Sequence, residues 1–173
     1  FDTAPGYGEG RSEEVLGTAL LNKRQSNIIG TKVPPSDLSP KNIRKACEDS
    51  LKRLKTDYID LYQIHWPNHD LPINDSVNEL KKLKEEGKIL TIGVSNFGKK
   101  DFTEISELTE VVTNQLPYNG FWRAIEFEIK PLCVLKGSGI ICYSPLAQGL
   151  LTGRYRKVED VPDGVSRSRL FSK

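Results

Sequence analysis

His65 stands where the apolar run 58–64 stops, with Trp66 and Pro67 directly after it. A buried strand needs the aliphatic members Ile59, Leu61 and Ile64, but packing has no use for an imidazole at its exit. Alone, such a histidine reads as a structural one. Four other strand-like runs change that reading, because each also stops on polar side chains. The run from Ile28 ends at Lys32, 89–94 at Ser95 and Asn96, 111–114 at Gln115, and 139–142 at Tyr143 and Ser144. An imidazole can pass protons, an ammonium holds a positive charge, and amides and hydroxyls can grip a polar ligand.

Positioning these groups requires parallel strands. Their end points lie roughly 20 to 35 residues apart, about the length of one βα unit. In a (β/α) barrel such end points converge on the C-terminal face, where active sites sit. The intervening segments carry helical patterns. Residues 11–21 form a helix with Val15, Leu16, Ala19 and Leu20 inward, and Ser12, Glu13 and Glu14 near a start whose dipole favours acidic groups. Ser39 is placed to cap a helix that opens on Pro40, with Ile43, Ala46, Cys47, Ser50, Leu51 and Leu54 as its inner stripe. Further helices are expected over 76–86, with Gly87 as the stop, over 101–108, and over 123–136 with an interruption near Pro131.

The motifs in order are Asp2-Thr3-Ala4 with Tyr7-Gly8, Thr31-Lys32, the run from Asp60 to His65, Gly93-Val94-Ser95-Asn96-Phe97, Asn114-Gln115, and Tyr143-Ser144-Pro145-Leu146. Together they resemble the aldo-keto reductase family, and the resemblance continues to Tyr155. Any one motif is weak; six in order are specific. The resemblance implies an α/β fold, a (β/α)8 TIM barrel that is incomplete here. The chain would run from the end of the second strand through the seventh strand and the following loop, so that residues 1–173 form part of one barrel domain. Such barrels take about 250 residues, whereas this chain has 173, contains no methionine, and closes over 167–173 with no terminating feature. A piece of a longer protein is the expectation.

The same resemblance implies the chemistry. Reducing a carbonyl requires a hydride donor, which no side chain supplies, so a nicotinamide cofactor is needed. It also requires a proton donor at the oxygen. Tyrosine is a weak acid, with a pKa near 10; a neighbouring ammonium lowers that value, and a neutral imidazole can hydrogen-bond the same oxygen. A carboxylate would keep the lysine charged and fixed. The resemblance assigns these four roles to Tyr7, Lys32, His65 and Asp2. It assigns Ser95, Asn96 and Gln115 to the nicotinamide carboxamide and Tyr143 to stacking on the ring. Ser144, Leu146, Gln148 and Gly149 fall to the loop along the pyrophosphate, and Tyr7 and Trp66 to the substrate pocket. NADP(H) is the implied cofactor and a small-molecule carbonyl the implied substrate. There is no GxGxxG, so a Rossmann site is not implied. The segment Tyr118-Asn119-Gly120-Phe121-Trp122-Arg123 is closer to the branch with bacterial stress-associated reductases and potassium-channel β subunits. That branch supports a second reading, a cofactor-binding barrel used as a regulatory or assembly subunit; a fragment without function is a third.

Composition sets outer bounds. A net charge of +2 gives no general reason to expect nucleic acid. No apolar run reaches the roughly 18 residues of a membrane span. Cys47, Cys133 and Cys142 are widely spaced, without a zinc-ligand pattern, and an odd count suits a reducing cytoplasm better than a disulfide framework. Cys47 is expected inside a helix and Cys142 in a buried strand. His69 is expected to be exposed and without catalytic consequence.

Overall fold

The computed structural model describes residues 1–161 and contains five parallel strands alternating with helices. The strands are β1 (Gly30–Val33), β2 (Ile59–Ile64), β3 (Ile89–Ser95), β4 (Thr113–Pro117) and β5 (Gly139–Tyr143), hydrogen-bonded in that order. Asp2 adds an isolated parallel bridge to Gly30 on the outer side of β1. The helices are α1 (Arg11–Ala19), α2 (Pro40–Leu54), α3 (Ile73–Glu85), α4 (Lys99–Leu108) and α5 (Ile129–Leu135). The closing stretch 167–173 lies outside the described residues.

Register brings the strand ends level. Lys32 pairs with Gln63, Gln63 with Gly93, Ser95 with Gln115, and Pro117 with Tyr143. Alternation along each strand then separates two faces. One set of side chains, among them Val33, Tyr62, Ile64, Ile92 and Val94, joins Ile43, Cys47, Leu54, Val77, Leu80, Leu83, Phe102 and Ile105 in the buried core. The other set includes Lys32 and Gln63. The inner stripe of α2 and the Val77, Leu80, Leu83 stripe of α3 lie where their spacing places them.

Several boundaries and faces differ from expectation. α1 turns Glu13, Gly17 and Leu20 inward, while Val15 is 54% exposed. Backbone approach decides this: a Cβ on Gly17 would lie 2.5 Å from the Leu54 carbonyl, so α1 rests directly on the end of α2 along its glycine. α3 begins at Ile73 rather than at residue 76, and Ser76 is buried, donating to Leu38 O at 2.7 Å. Ser39 precedes α2 as expected but makes no side-chain cap. β4 lies further along than the apolar run suggested, because its pairing with β3 and β5 draws Gln115 into the strand.

The helix expected over 123–136 is split into a 3₁₀ turn (Ala124–Glu126) and α5, with the break at Phe127 and Glu128 rather than at Pro131. Pro131 is the third residue of α5, where a missing N–H leaves no intrahelical bond unmade. Cys142 is exposed, not buried, because among the described residues β5 has a paired neighbour only in β4. Among the described residues no helix is long and apolar enough to cross a membrane, and no group of three His, Cys, Asp or Glu side chains is arranged to hold a metal.

Candidate active site

Lys32 is the penultimate residue of β1 and has no solvent exposure. A surface position, the simplest reading of a lone lysine, is therefore excluded. Its ammonium donates to both carboxylate oxygens of Asp2 at 2.9 Å and to Thr3 O at 2.8 Å. Burial holds its pKa below the ordinary lysine value, and the Asp2 carboxylate opposes that shift. Asp2 can do this because the bridge to Gly30 lays the start of the chain beside β1.

Tyr7 reaches the same place from the loop before α1. Its ring centroid lies 5.1 Å from Lys32 Nζ and 6.1 Å from the His65 ring, edge to face at 81°. The phenol is 43% exposed as a residue. Burial first, and the Asp2 charge second, raise its pKa above 10. That direction is opposite to the lowering expected from Lys32, whose protons are committed elsewhere. Tyr7 therefore keeps its proton at neutral pH.

His65 follows β2 directly, anchored by its own N–H to Val33 O at 3.0 Å. Burial, then the Lys32 charge, lower its pKa below 6.5, so the imidazole is neutral at pH 7. The four side chains implied for proton chemistry are thus brought together. Trp66, next in sequence, is 49% exposed at the same rim. His69 lies outside this group; it is exposed and pairs with Asp101 at 2.8 Å.

A second group adjoins the first. Asn96 donates from Nδ2 to His65 O and to Ser95 Oγ, both at 3.0 Å, and accepts at Oδ1 from the Tyr143 phenol at 2.9 Å. Ser95 Oγ donates to Gln115 O at 3.1 Å, leaving the Gln115 side-chain amide without a hydrogen bond among the described residues. Gln115 is 6% exposed, so this free amide faces the site from a nearly buried position. A donor–acceptor pair of that kind fits a primary carboxamide, the polar end of a nicotinamide.

Ser144, Leu146, Gln148 and Gly149 form one loop beyond β5. Its backbone is held by Asn119 Nδ2 on Ser144 O at 2.9 Å and by Gly149 N–H on Leu146 O at 3.0 Å. Gly149 has φ +102°, a conformation that favours glycine. Leu146 and Gln148 are exposed.

Three polar residues around the site were given no site role in the motif reading. Thr3 supplies a carbonyl to Lys32 and a hydroxyl to Ser12 at 2.7 Å. Gln63 places its amide nitrogen 3.4 Å from Asp2 Oδ1. Glu13 is buried without exposure behind β1. Gln63 was the one accessible from sequence, since it precedes His65 by two and strand alternation puts the two on one face.

Known proteins are similar to this chain in sequence and fold. A model of the aldo/keto reductase family matches residues 1–171. The chain is 40% identical over 164 residues to aldo-keto reductase YhdN of Bacillus subtilis, covering 89% of this chain and 50% of that protein. It is 37% identical to the NADH-specific methylglyoxal reductase of Escherichia coli, covering 99% and 59%. The chain thus spans about half the length of the curated relatives it matches. Among solved structures, the aldo/keto reductase of Klebsiella pneumoniae in complex with NADP and acetate superposes with a TM-score of 0.82 at 37% identity, over 88% of this chain and 55% of that one. The glycerol dehydrogenase of Gluconobacter oxydans superposes with a TM-score of 0.88 at 38% identity, over 99% and 57%.

Proposed function

The chain belongs to the aldo/keto reductase family, and from that premise we propose that the whole protein reduces aldehydes or ketones to alcohols with NADP(H), using Tyr7 as proton donor. Residues 1–173 then form part of a (β/α)8 barrel domain. The observation that carries the reading is the buried Lys32 ammonium, clamped by Asp2, with the Tyr7 ring 5.1 Å away and His65 edge-on to that ring.

The cofactor, when bound, supplies a hydride to the carbonyl carbon. The residues supply the rest. Tyr7 gives its proton to the carbonyl oxygen as negative charge develops there, and solvent later returns a proton to the phenolate. A phenol whose pKa is raised keeps that proton until the oxygen becomes basic enough to take it. His65, neutral and with an imidazole free of protein hydrogen bonds among the described residues, orients the carbonyl oxygen. Lys32 acts through its charge, which favours the phenolate left after transfer. Gln115, Ser95 and Asn96 would hold the carboxamide of the nicotinamide, and Tyr143 would stack on its ring. Trp66 and Tyr7 form the apolar wall of the substrate pocket.

The test follows NADPH oxidation by the whole protein with an aromatic aldehyde, in the native form and as Tyr7→Phe. The native protein should turn over, and Tyr7→Phe should lose about 10² to 10⁴ in kcat while binding NADPH almost unchanged. Less than a threefold loss would remove Tyr7 as proton donor. Tight NADPH binding by the native protein without turnover on any aldehyde or ketone would favour the regulatory subunit.

A further inference from the structure

The proposed chemistry makes no use of Glu13, yet this carboxylate is fully buried. A charge removed from water persists only where strong partners hold it. Glu13 has two. Oε2 accepts from Arg53 Nε at 2.6 Å, and Oε1 accepts from the Thr31 hydroxyl at 2.6 Å. Three elements therefore meet at one carboxylate: α1 through Glu13, β1 through Thr31, and α2 through Arg53.

One of these elements carries a proton-handling residue and another adjoins the loop that carries two. Thr31 adjoins Lys32 on β1, so the two side chains leave opposite faces of the strand. α1 continues the loop that bears Asp2 and Tyr7. Ser12, the neighbour of Glu13, donates its N–H to Tyr7 O at 3.2 Å and accepts from the Thr3 hydroxyl at 2.7 Å, while Thr3 O receives Lys32 Nζ. Glu13 is thus one residue away from both arms of the site, from behind the sheet.

We propose that Glu13 is a positioning residue for carbonyl reduction: its buried carboxylate fixes the Tyr7 loop against β1 and adds negative charge behind Lys32. The inference rests on the roles given above to Tyr7 and Lys32. Asp2 and Tyr7 from the first loop, His65 from the end of β2, and Glu13 through β1 all face Lys32. Arg53 from α2 and the buried Tyr62 phenol from β2 lie around Glu13 itself. Burial depresses the Lys32 pKa, while Asp2 and then Glu13 draw it back up. Neutralising Glu13 leaves the depression less opposed, so Lys32 should lose its proton at lower pH.

The experiment titrates Lys32 by its ¹³Cε resonance in the whole protein without cofactor, assigned with Lys32→Arg, and measures kcat and KM in parallel. The variants are Glu13→Gln, which keeps shape and loses charge, Glu13→Asp, which keeps charge, and Thr31→Val, which removes one anchoring bond. Glu13→Gln should shift the Lys32 midpoint downward and lower kcat about ten- to a hundredfold with KM within twofold. Glu13→Asp should restore the midpoint. Thr31→Val should lower kcat with the midpoint unmoved.

A folded Glu13→Gln protein with an unmoved Lys32 midpoint, or with native kcat, would overturn the proposal and leave an ordinary structural ion pair. If Glu13→Gln does not fold, Thr31→Val decides: native kcat there overturns the positioning role. A native protein that turns nothing over defeats the reductase reading, and the Lys32 titration still decides the link between Glu13 and Lys32.

Discussion

Lys32 spends two of its three protons on the Asp2 carboxylate, at 2.9 Å to each oxygen. The third goes to Thr3 O at 2.8 Å, so none is left for the Tyr7 phenol. The ammonium acts on Tyr7 through space, and Asp2 acts against it.

Replacing Lys32 by Met should therefore leave Tyr7 facing an unbalanced carboxylate. The phenol pKa, already raised by burial and Asp2, rises further. The expected result is a loss of about 10² or more in kcat, with the alkaline limb of the pH–rate profile moved to higher pH. A profile of native height and shape would reduce Lys32 to a structural role.

Acid stability should report on His65. Its pKa in the folded protein lies below 6.5, through burial and Lys32, whereas the unfolded chain keeps the ordinary value. As pH falls below 6.5 the unfolded chain takes up the proton first, so stability drops through the window between 6.5 and the folded value. Above 6.5 the contribution is fully present. Urea unfolding of native protein and His65→Gln at pH 7 and pH 5 should show a smaller loss in the variant. Equal losses would mean that His65 titrates alike in both states.

The Asp60 carboxylate belongs to the run that leads to His65, yet it lies at the opposite end of β2 from the site. It accepts from Arg24 Nη2 at 2.6 Å and from the Ile29 N–H at 2.9 Å, and Arg24 also holds Asn27 O, Tyr58 O and Thr56 Oγ1. Asp60→Ala should cost about 2 to 3 kcal/mol of stability and leave kcat within twofold at a temperature where both proteins are folded. A kcat loss beyond tenfold in folded protein would place Asp60 in the chemistry.

Tyr143→Phe keeps the ring and removes the hydroxyl that Asn96 Oδ1 accepts. Asn96 then has one less restraint on the amide that also braces His65 O. Nicotinamide dinucleotide affinity should fall about two- to tenfold, the value of one hydrogen bond, as measured by quenching of protein fluorescence. Unchanged affinity would separate the Tyr143 hydroxyl from cofactor binding.

Sequence showed the strand ends better than it showed their supports. Lys32, His65, Ser95 and Tyr143 were legible because each lies at or beside the end of a strand at similar spacing, and parallel pairing sets those ends side by side, whereas Gln115 lies within β4. The stripes of α2 and α3 were legible for the same periodic reason. Glu13 was not: an acidic residue in the first turn of a helix reads as solvent-exposed complement to the dipole, and its partners lie 18 and 40 residues away. Arg24 was invisible likewise, with partners on the far side of α2. Val15 fooled the periodicity because a backbone contact at Gly17, not apolar area, sets the rotation of α1. Cys142 was misjudged because an apolar strand says nothing of whether both its edges are paired.

Each strand from β1 to β4 hydrogen-bonds to the one that follows it in sequence. The first register link, Gly30 with Leu61, spans 31 residues, and Thr113 with Gly139 spans 26. Loops of that length close at modest entropic cost, and every unit finds its template already made. A nascent chain can therefore extend the sheet one βα unit at a time as it leaves the ribosome, N-terminal part first. Among these five strands the Lys32–Asp2 clamp belongs to the first and His65 to the end of the second. The proton-handling half of the site would then assemble before Gln115 and Tyr143 have been translated.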